Sequence, residues 1–301
     1  MMNLMDLLND PGSRGKVLLS DGAWGTLLHA RGLKPGECPE LWNIEQRSKV
    51  LEVARSYVEA GSNMIETNSF GGNRFKLQHF GLDERVGELN RAAAEISREA
   101  CGNNALVLGS VGPSGKILMT GEVTAKELYD AFREQVIALA EGGAHAIIIE
   151  TMSDLEEASL AIRAVKDHTD LDVICTMTFD KTRDGNFRTM MGISPADMVP
   201  VLLKAGASVL GSNCGNGTEG MISVLKEIRE ADPEVPVLIQ GNAGVPEYID
   251  GRTVFNETPE LTASYIPDLV KEGVNIIGGC CGTTPEHIAR ICSELKNLAK
   301  K

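Results

Sequence analysis

Near its C-terminus the chain reads Val274-Asn275-Ile276-Ile277-Gly278-Gly279-Cys280-Cys281-Gly282-Thr283-Thr284-Pro285. A short apolar run opens the stretch, and a helix-like segment from Glu286 to Lys300 follows it, so it reads as strand, loop and helix. Two adjacent cysteines set among glycines and threonines pack poorly. They make good paired ligands if the backbone turns sharply enough to aim both sulfurs at one point.

The same unit recurs along the chain. Short β-type runs lie at Val17-Leu19, Met64-Glu66, Leu106-Gly109, Ala146-Glu150, Val173-Thr178, Ser208-Gly211, Val237-Gln240 and Asn275-Gly278. Between them, apolar residues fall at helical spacing, as in Val50, Val53, Ala54 and Tyr57, or Leu128, Phe132, Val136 and Leu139. Gly61, Gly142-Gly143, Gly206 and Gly273 close these segments as helix caps. Thr124-Ala125-Lys126-Glu127 and Ser153-Asp154-Leu155-Glu156 carry capping-box spacing at helix starts. Nearly unbroken apolar strands alternating with helices predict an all-parallel sheet covered on both faces. Eight such units close a (β/α)8 TIM barrel, and 301 residues suit it. A doubly wound sheet fits the alternation less well, since no Gly-x-Gly-x-x-Gly turn follows the first strand. No linker divides the chain, which reads as one domain over residues 1–301 with its core at about 17–300. An insertion around Lys34 to Glu45 is placed to form a flap.

Composition narrows the function. A net charge of −13 argues against a nucleic-acid surface or an anionic-membrane patch. No apolar run approaches the roughly 20 residues of a membrane span, and Met1 to Asp10 lacks the features of a secretory signal. Seven cysteines form no disulfide framework, so a reducing cytoplasm is the default location. Cys101, Cys175 and Cys292 read as plain thiols in apolar or helical surroundings, and Cys38 has no evident partner.

In such barrels the active site lies at the C-terminal ends of the strands. Those ends collect Asp21-Gly22-Ala23, Glu66-Thr67-Asn68, Glu150-Thr151, Asn213-Cys214, Asn242-Ala243-Gly244 and Cys280-Cys281. Cys214 arrives two strands before the cysteine pair and makes a third sulfur on one rim. Three thiolates suit zinc, and three protein ligands leave one tetrahedral position open, the pattern of a catalytic site. The competing reading is three unrelated buried thiols. His287, in the helix after the pair, is placed at that helix's exposed start rather than at the metal. A site of three thiolates suits activation of a substrate thiol better than of water. Asp21 and Glu150 then suit a cationic group such as an α-ammonium, and the Gly22-Ala23 turn suits a carboxylate. Each acid is also compatible with a helix cap or a structural ion pair. The charged loop from Asp180 to Met191 reads equally as a rim contact or a solvated hairpin.

These residues resemble a family. Asp21-Gly22-Ala23-Trp24-Gly25-Thr26, Glu66-Thr67-Asn68-Ser69-Phe70, Glu150-Thr151, Asn213-Cys214-Gly215, Gly241-Asn242-Ala243-Gly244 and Gly278-Gly279-Cys280-Cys281-Gly282-Thr283 are together similar to the homocysteine S-methyltransferases. That family includes the homocysteine-binding module of cobalamin-dependent methionine synthase and betaine–homocysteine methyltransferase. The resemblance runs from about Val17 to the last helix. It implies one zinc ion on Cys214, Cys280 and Cys281 that receives the homocysteine thiolate, with Asp21 and Glu150 on the substrate amino group. It also implies Asn242 as the ligand that fills the open position when substrate is absent. The expected product is methionine. No segment resembles a cobalamin or folate domain, so methylcobalamin is expected only through a partner, a methylated corrinoid protein. A small donor such as a betaine or S-methylmethionine is the alternative, and it would call for aromatic rings; aromatic residues are only 4% of the chain. A non-catalytic zinc- or thiol-binding subunit is the reading from another class.

Overall fold

Every one of the eight apolar runs forms a strand. The computed structural model describes residues 3–9, 17–249 and 252–300. Its parallel strands are β1 (Leu18–Leu19), β2 (Met64–Glu66), β3 (Leu106–Val111), β4 (Ala146–Met152), β5 (Asp172–Met177), β6 (Val209–Gly217), β7 (Val237–Asn242) and β8 (Ile276–Gly279). They pair in the order β1-β8-β7-β6-β5-β4-β3-β2. The outer helices are α1 (Arg47–Ala60), α2 (Val86–Cys101), α3 (Ala125–Glu141), α4 (Leu155–His168), α5 (Pro195–Ala205), α6 (Thr218–Ala231), α7 (Ile266–Lys271) and α8 (Pro285–Leu298). The result is the eight-stranded barrel the sequence predicts.

The seam between β1 and β2 is closed by individual groups rather than by a regular ladder. Asn63 accepts the Leu19 N–H on its side chain at 2.8 Å and donates its own N–H to the Leu19 carbonyl at 2.6 Å. Ser62 donates to the Ser20 carbonyl at 3.1 Å, and the Glu66 N–H donates to the Asp21 carboxylate at 2.8 Å. Asp21 therefore has a structural duty at the closure.

Strand alternation explains where the site lies. Leu18, Met64, Leu108, Ile148, Ile174, Val209, Leu238 and Ile276 form one apolar cluster at the lower end of the barrel interior. The short helix Leu4–Asn9 seals it from below, with Leu4 wholly buried. Two residues further along each strand, the same inner positions become Ser20, Glu66, Ser110, Glu150, Thr176, Gly211, Gln240 and Gly278. The interior thus changes from hydrocarbon to polar within one step of the pleat, and the polar step faces the C-terminal mouth.

Local signals hold with one shift. Thr124 and Glu127 form the expected capping box. At α4 the cap lies one residue later than predicted: Asp154, not Ser153, accepts the N–H groups of Glu156 and Glu157. The 180–191 segment forms a hairpin in which Asp180–Lys181 pairs with Phe187–Arg188. Among the described residues no helix is long and apolar enough to cross a membrane.

Candidate active site

A cavity of about 270 Å³ opens at the C-terminal ends of the strands. One wall carries Cys214, Cys280 and Cys281, whose sulfurs all lie within 4.8 Å of one another. Cys214 Sγ and Cys281 Sγ are 3.9 Å apart. Tetrahedral zinc with bonds of about 2.3 Å places its sulfurs about 3.8 Å apart, so the trio fits such an ion.

Two unusual backbones make this possible. After Asn213 the register of β6 against β7 shifts, and Cys214 takes φ 61°. A bulge re-aims a side chain in this way. In the loop after β8, Gly282 takes φ 81°, and a Cβ at Gly279 would collide with Thr283 Oγ1. The turn is pinned by Thr283, whose N–H and hydroxyl both donate to the Cys280 carbonyl at 3.0 and 2.7 Å. Consecutive cysteines thereby reach one point.

Packed this closely, the thiols do not ionise independently. Cys280 and Cys281 donate to Cys214 and pull its pKa well below the usual thiol range. Their own thiols move the other way: Cys281 is pushed up to about 12, chiefly by that bond to Cys214, and Cys280 also rises well above the ordinary range. A second and third thiolate here need a cation between the sulfurs. Asn242, 1% exposed, hydrogen-bonds Cys214, while its Oδ1 has no partner among the described groups. Such an orphan oxygen on the side chain next to Cys214 has the chemistry of a further metal ligand.

The opposite wall is acidic. Glu66 and Glu150 line the cavity and are hydrogen-bonded to each other, and Asp21 lies buried behind them. Ser110 donates to Glu150 Oε1, and Gln240 Nε2 donates to Glu66 Oε1 at 2.8 Å. Gln240 also lines the cavity, and its Oε1 is a second buried oxygen without a partner among the described groups. Burial pushes Asp21 up to about 6 and Glu150 up to about 7. Glu66 rises well above the carboxylate range through burial and then the charges of Glu150 and Asp21. Among the described residues no basic side chain is ion-paired with any of the three.

The predicted residues fare differently. Cys214, Cys280, Cys281, Glu150, Gly22 and Ala23 all reach the cavity. Asp21 does not line it: its Oδ2 already accepts from Trp24 Nε1 at 2.8 Å and from the Glu66 N–H. The Ala23 N–H is likewise engaged, donating to Thr283 Oγ1 at 3.1 Å. His287 is not at an exposed helix start. It is buried, with Nδ1 capping α8 at Thr284 and Nε2 3.0 Å from the Glu257 carbonyl. Cys38 is buried too, its thiol 3.2 Å from Glu40 Oε2. Glu66, a strand-end residue to which the sequence assigns no role, and Gln240 also line the cavity; both stand at inner strand-end positions where an apolar residue would otherwise continue the run. Pro39 and Glu40 bring the predicted insertion to the cavity wall.

The family model for homocysteine S-methyltransferase matches residues 18–295. Methionine synthase of Mycobacterium tuberculosis is 30% identical, the match covering 99% of this chain and 26% of the relative. The Mycobacterium leprae methionine synthase is also 30% identical over 96% of this chain and 25% of its own length. The chain therefore spans about a quarter of these relatives. Among solved structures, the metallated form of the homocysteine methyltransferase MmuM from Escherichia coli superposes with a TM-score of 0.78 at 25% identity, covering 95% of this chain and 99% of that one. The matched span, the barrel and the three-cysteine mouth agree: the chain belongs to the homocysteine S-methyltransferase family.

Proposed function

We propose that this chain transfers a methyl group to the sulfur of homocysteine, giving methionine, with zinc held by Cys214, Cys280 and Cys281. One observation carries the proposal. A single cavity has a trio of sulfurs at one wall and unneutralised carboxyls at the other. A small amino acid bearing both an ammonium and a thiol satisfies both walls at once. When bound, the zinc ion supplies a substrate thiol held deprotonated at neutral pH yet still nucleophilic.

The chain's own residues do the rest. Glu150 and Glu66 offer carboxylate acceptors for the N–H bonds of the ammonium, and Gln240 Nε2 holds Glu66 in place. Asp21 acts from behind them, adding its charge and fixing the Glu66 backbone and Trp24. The Gly22 end of the Gly22-Ala23 turn faces the substrate carboxylate. Asn242 steadies Cys214 and offers Oδ1 to the metal before substrate arrives. The substrate sulfur then attacks the methyl carbon, its lone pair forming the S–C bond, and the donor leaves with the electrons of the broken bond. Fixing sulfur and amino group together sets the direction of attack.

For the donor we favour a methylated corrinoid protein. Phe70, Ile117, Met119, Met190, Val245 and Tyr248 stand exposed on connections following β2, β3, β5 and β7, an apolar rim suited to a docked macromolecule. The likeness to one quarter of methionine synthase supports the same reading. A small cationic donor is the second reading, supported by Trp24 and Phe70 in the cavity wall and by the near-full-length likeness to the E. coli enzyme. The test is methyl transfer to L-homocysteine from methylcobalamin, a betaine and S-methylmethionine, each with and without zinc. Zinc-dependent methionine formation from any donor supports the proposal, and the donor used decides between the readings. Binding of zinc and homocysteine with no transfer from any donor would point instead to a non-catalytic subunit.

A further inference from the structure

Asn213 stands at the bend of β6, one residue before Cys214, and is wholly buried. Its carboxamide touches three other strands or their loops. Oδ1 accepts the Thr151 N–H at 2.8 Å and the Thr176 hydroxyl at 2.7 Å, so its acceptor side is filled. Nδ2 has two hydrogens but three acceptors in reach: Thr151 Oγ1 at 2.8 Å, Glu150 Oε2 at 3.4 Å and Cys280 Sγ at 3.7 Å. One hydrogen belongs to Thr151. The other lies between the carboxylate at one wall and a sulfur at the other.

The Thr151 clamp is not ordinary packing. Thr151 takes φ 62°, a left-handed conformation that a β-branched residue rarely adopts. Such strain, of order 1–3 kcal/mol, persists only where surrounding contacts enforce it. Here both bonds that enforce it come from Asn213. A bulge between Ile149 and Met152 accompanies it and sets the height of Glu150 against the sulfurs.

We infer that Asn213 is a positioning residue through which the amino end of the cavity governs the sulfur end. The inference rests on the homocysteine reading above. With no ammonium bound, Glu150 Oε2 competes for the shared N–H. An ammonium that satisfies Glu150 releases that hydrogen to Cys280. A hydrogen bond to a metal-bound thiolate draws charge from the sulfur and weakens it as a donor, which strengthens the metal toward its remaining ligand. The metal site therefore responds to an α-amino group even when no substrate thiol is present, and thiols without that group are activated less.

The test uses the full chain loaded with cobalt(II), whose thiolate charge-transfer absorption reports on the sulfur ligands, with L-norleucine as an amino acid that has no thiol. In the native protein, bound norleucine should shift that absorption. In Asn213→Asp, which keeps both acceptor bonds but loses both donors, and in Asn213→Ala, the shift should vanish while cobalt remains bound and calorimetry still shows norleucine binding. The preference in kcat/KM for homocysteine over 1-propanethiol should fall by roughly tenfold or more in both, on the scale seen when partners of metal ligands are removed. An unmoved band in native protein that binds norleucine, or an equal shift in the variants, overturns the coupling alone. Native protein that takes up no cobalt or no norleucine overturns the site reading and the coupling with it.

Discussion

Glu150→Gln isolates the cost of holding a carboxylate ready for a cation. Glu150 is 7% exposed, and burial raises its pKa from an ordinary 4.5 to about 7. The sign follows from proton linkage. Between pH 4.5 and 7 the native state keeps a proton that the unfolded chain has released, so stability falls as pH rises through that window. The penalty is absent below about pH 4.5 and complete above about pH 7. At about 1.4 kcal/mol per pH unit, a rise from 4.5 to about 7 amounts to about 3 kcal/mol. Glutamine keeps the shape, accepts from Ser110 and offers an N–H towards Glu66. The metal-free variant should therefore be more stable than the native chain at pH 8, by up to about 3 kcal/mol or roughly 4–6 °C in Tm, and equal to it at pH 4.5. It should at the same time lose the stabilisation that homocysteine gives the zinc-loaded protein. Urea unfolding at the two pH values, with and without homocysteine, measures both. A variant less stable than native at pH 8 would mean that the ionised carboxylate already has a stabilising partner. Glu150 would then need no ammonium from a substrate.

Three further outcomes follow from the same geometry. Cys281→Ser should lose bound zinc and methyl transfer while keeping the far-ultraviolet circular dichroism of the barrel; retained activity would sink the assignment of the sulfurs. Gln240→Leu removes the N–H that holds Glu66 at the amino end of the cavity, so KM for homocysteine should rise by roughly tenfold, the worth of one hydrogen bond to a charged group. KM for 4-mercaptobutyrate, which lacks the amino group, should stay the same, and an equal rise for both thiols would deny Gln240 its role. Leu4→Ala leaves a hole beneath the apolar ring and should cost about 3 kcal/mol in unfolding free energy with zinc content unchanged; a negligible cost would show that the Leu4–Asn9 helix does not seal the barrel.

Much of this was legible in the residues because the strands are parallel and buried. Runs such as Ala146-Ile147-Ile148-Ile149 have few other uses, and the polar residues that end them stand out. Cys280 and Cys281 drew attention by adjacency, and Cys214 by its place after another strand. What escaped is what depends on direction. Glu66 and Gln240 sit at strand ends like Asp21 and Glu150, but only the pleat, counted from Met64 and Leu238 in the apolar ring, says that they point inward. Asp21 looks like a ligand residue in sequence and proves to be spent on the seam between β1 and β2. His287 looked exposed because helix starts commonly are. Its burial follows from a contact with the Glu257 carbonyl, 30 residues away, that no local pattern announces. The left-handed backbones of Thr151 and Cys214 are equally silent, since neither is a glycine.

The proposed zinc site takes three sulfurs from the chain and a fourth from the substrate. X-ray absorption at the zinc edge of the metal-loaded protein counts them without reference to any methyl donor. Three sulfur neighbours and one lighter ligand, becoming four sulfurs when L-homocysteine is added, is the predicted result. A first shell that does not gain a sulfur on saturation with homocysteine would contradict it.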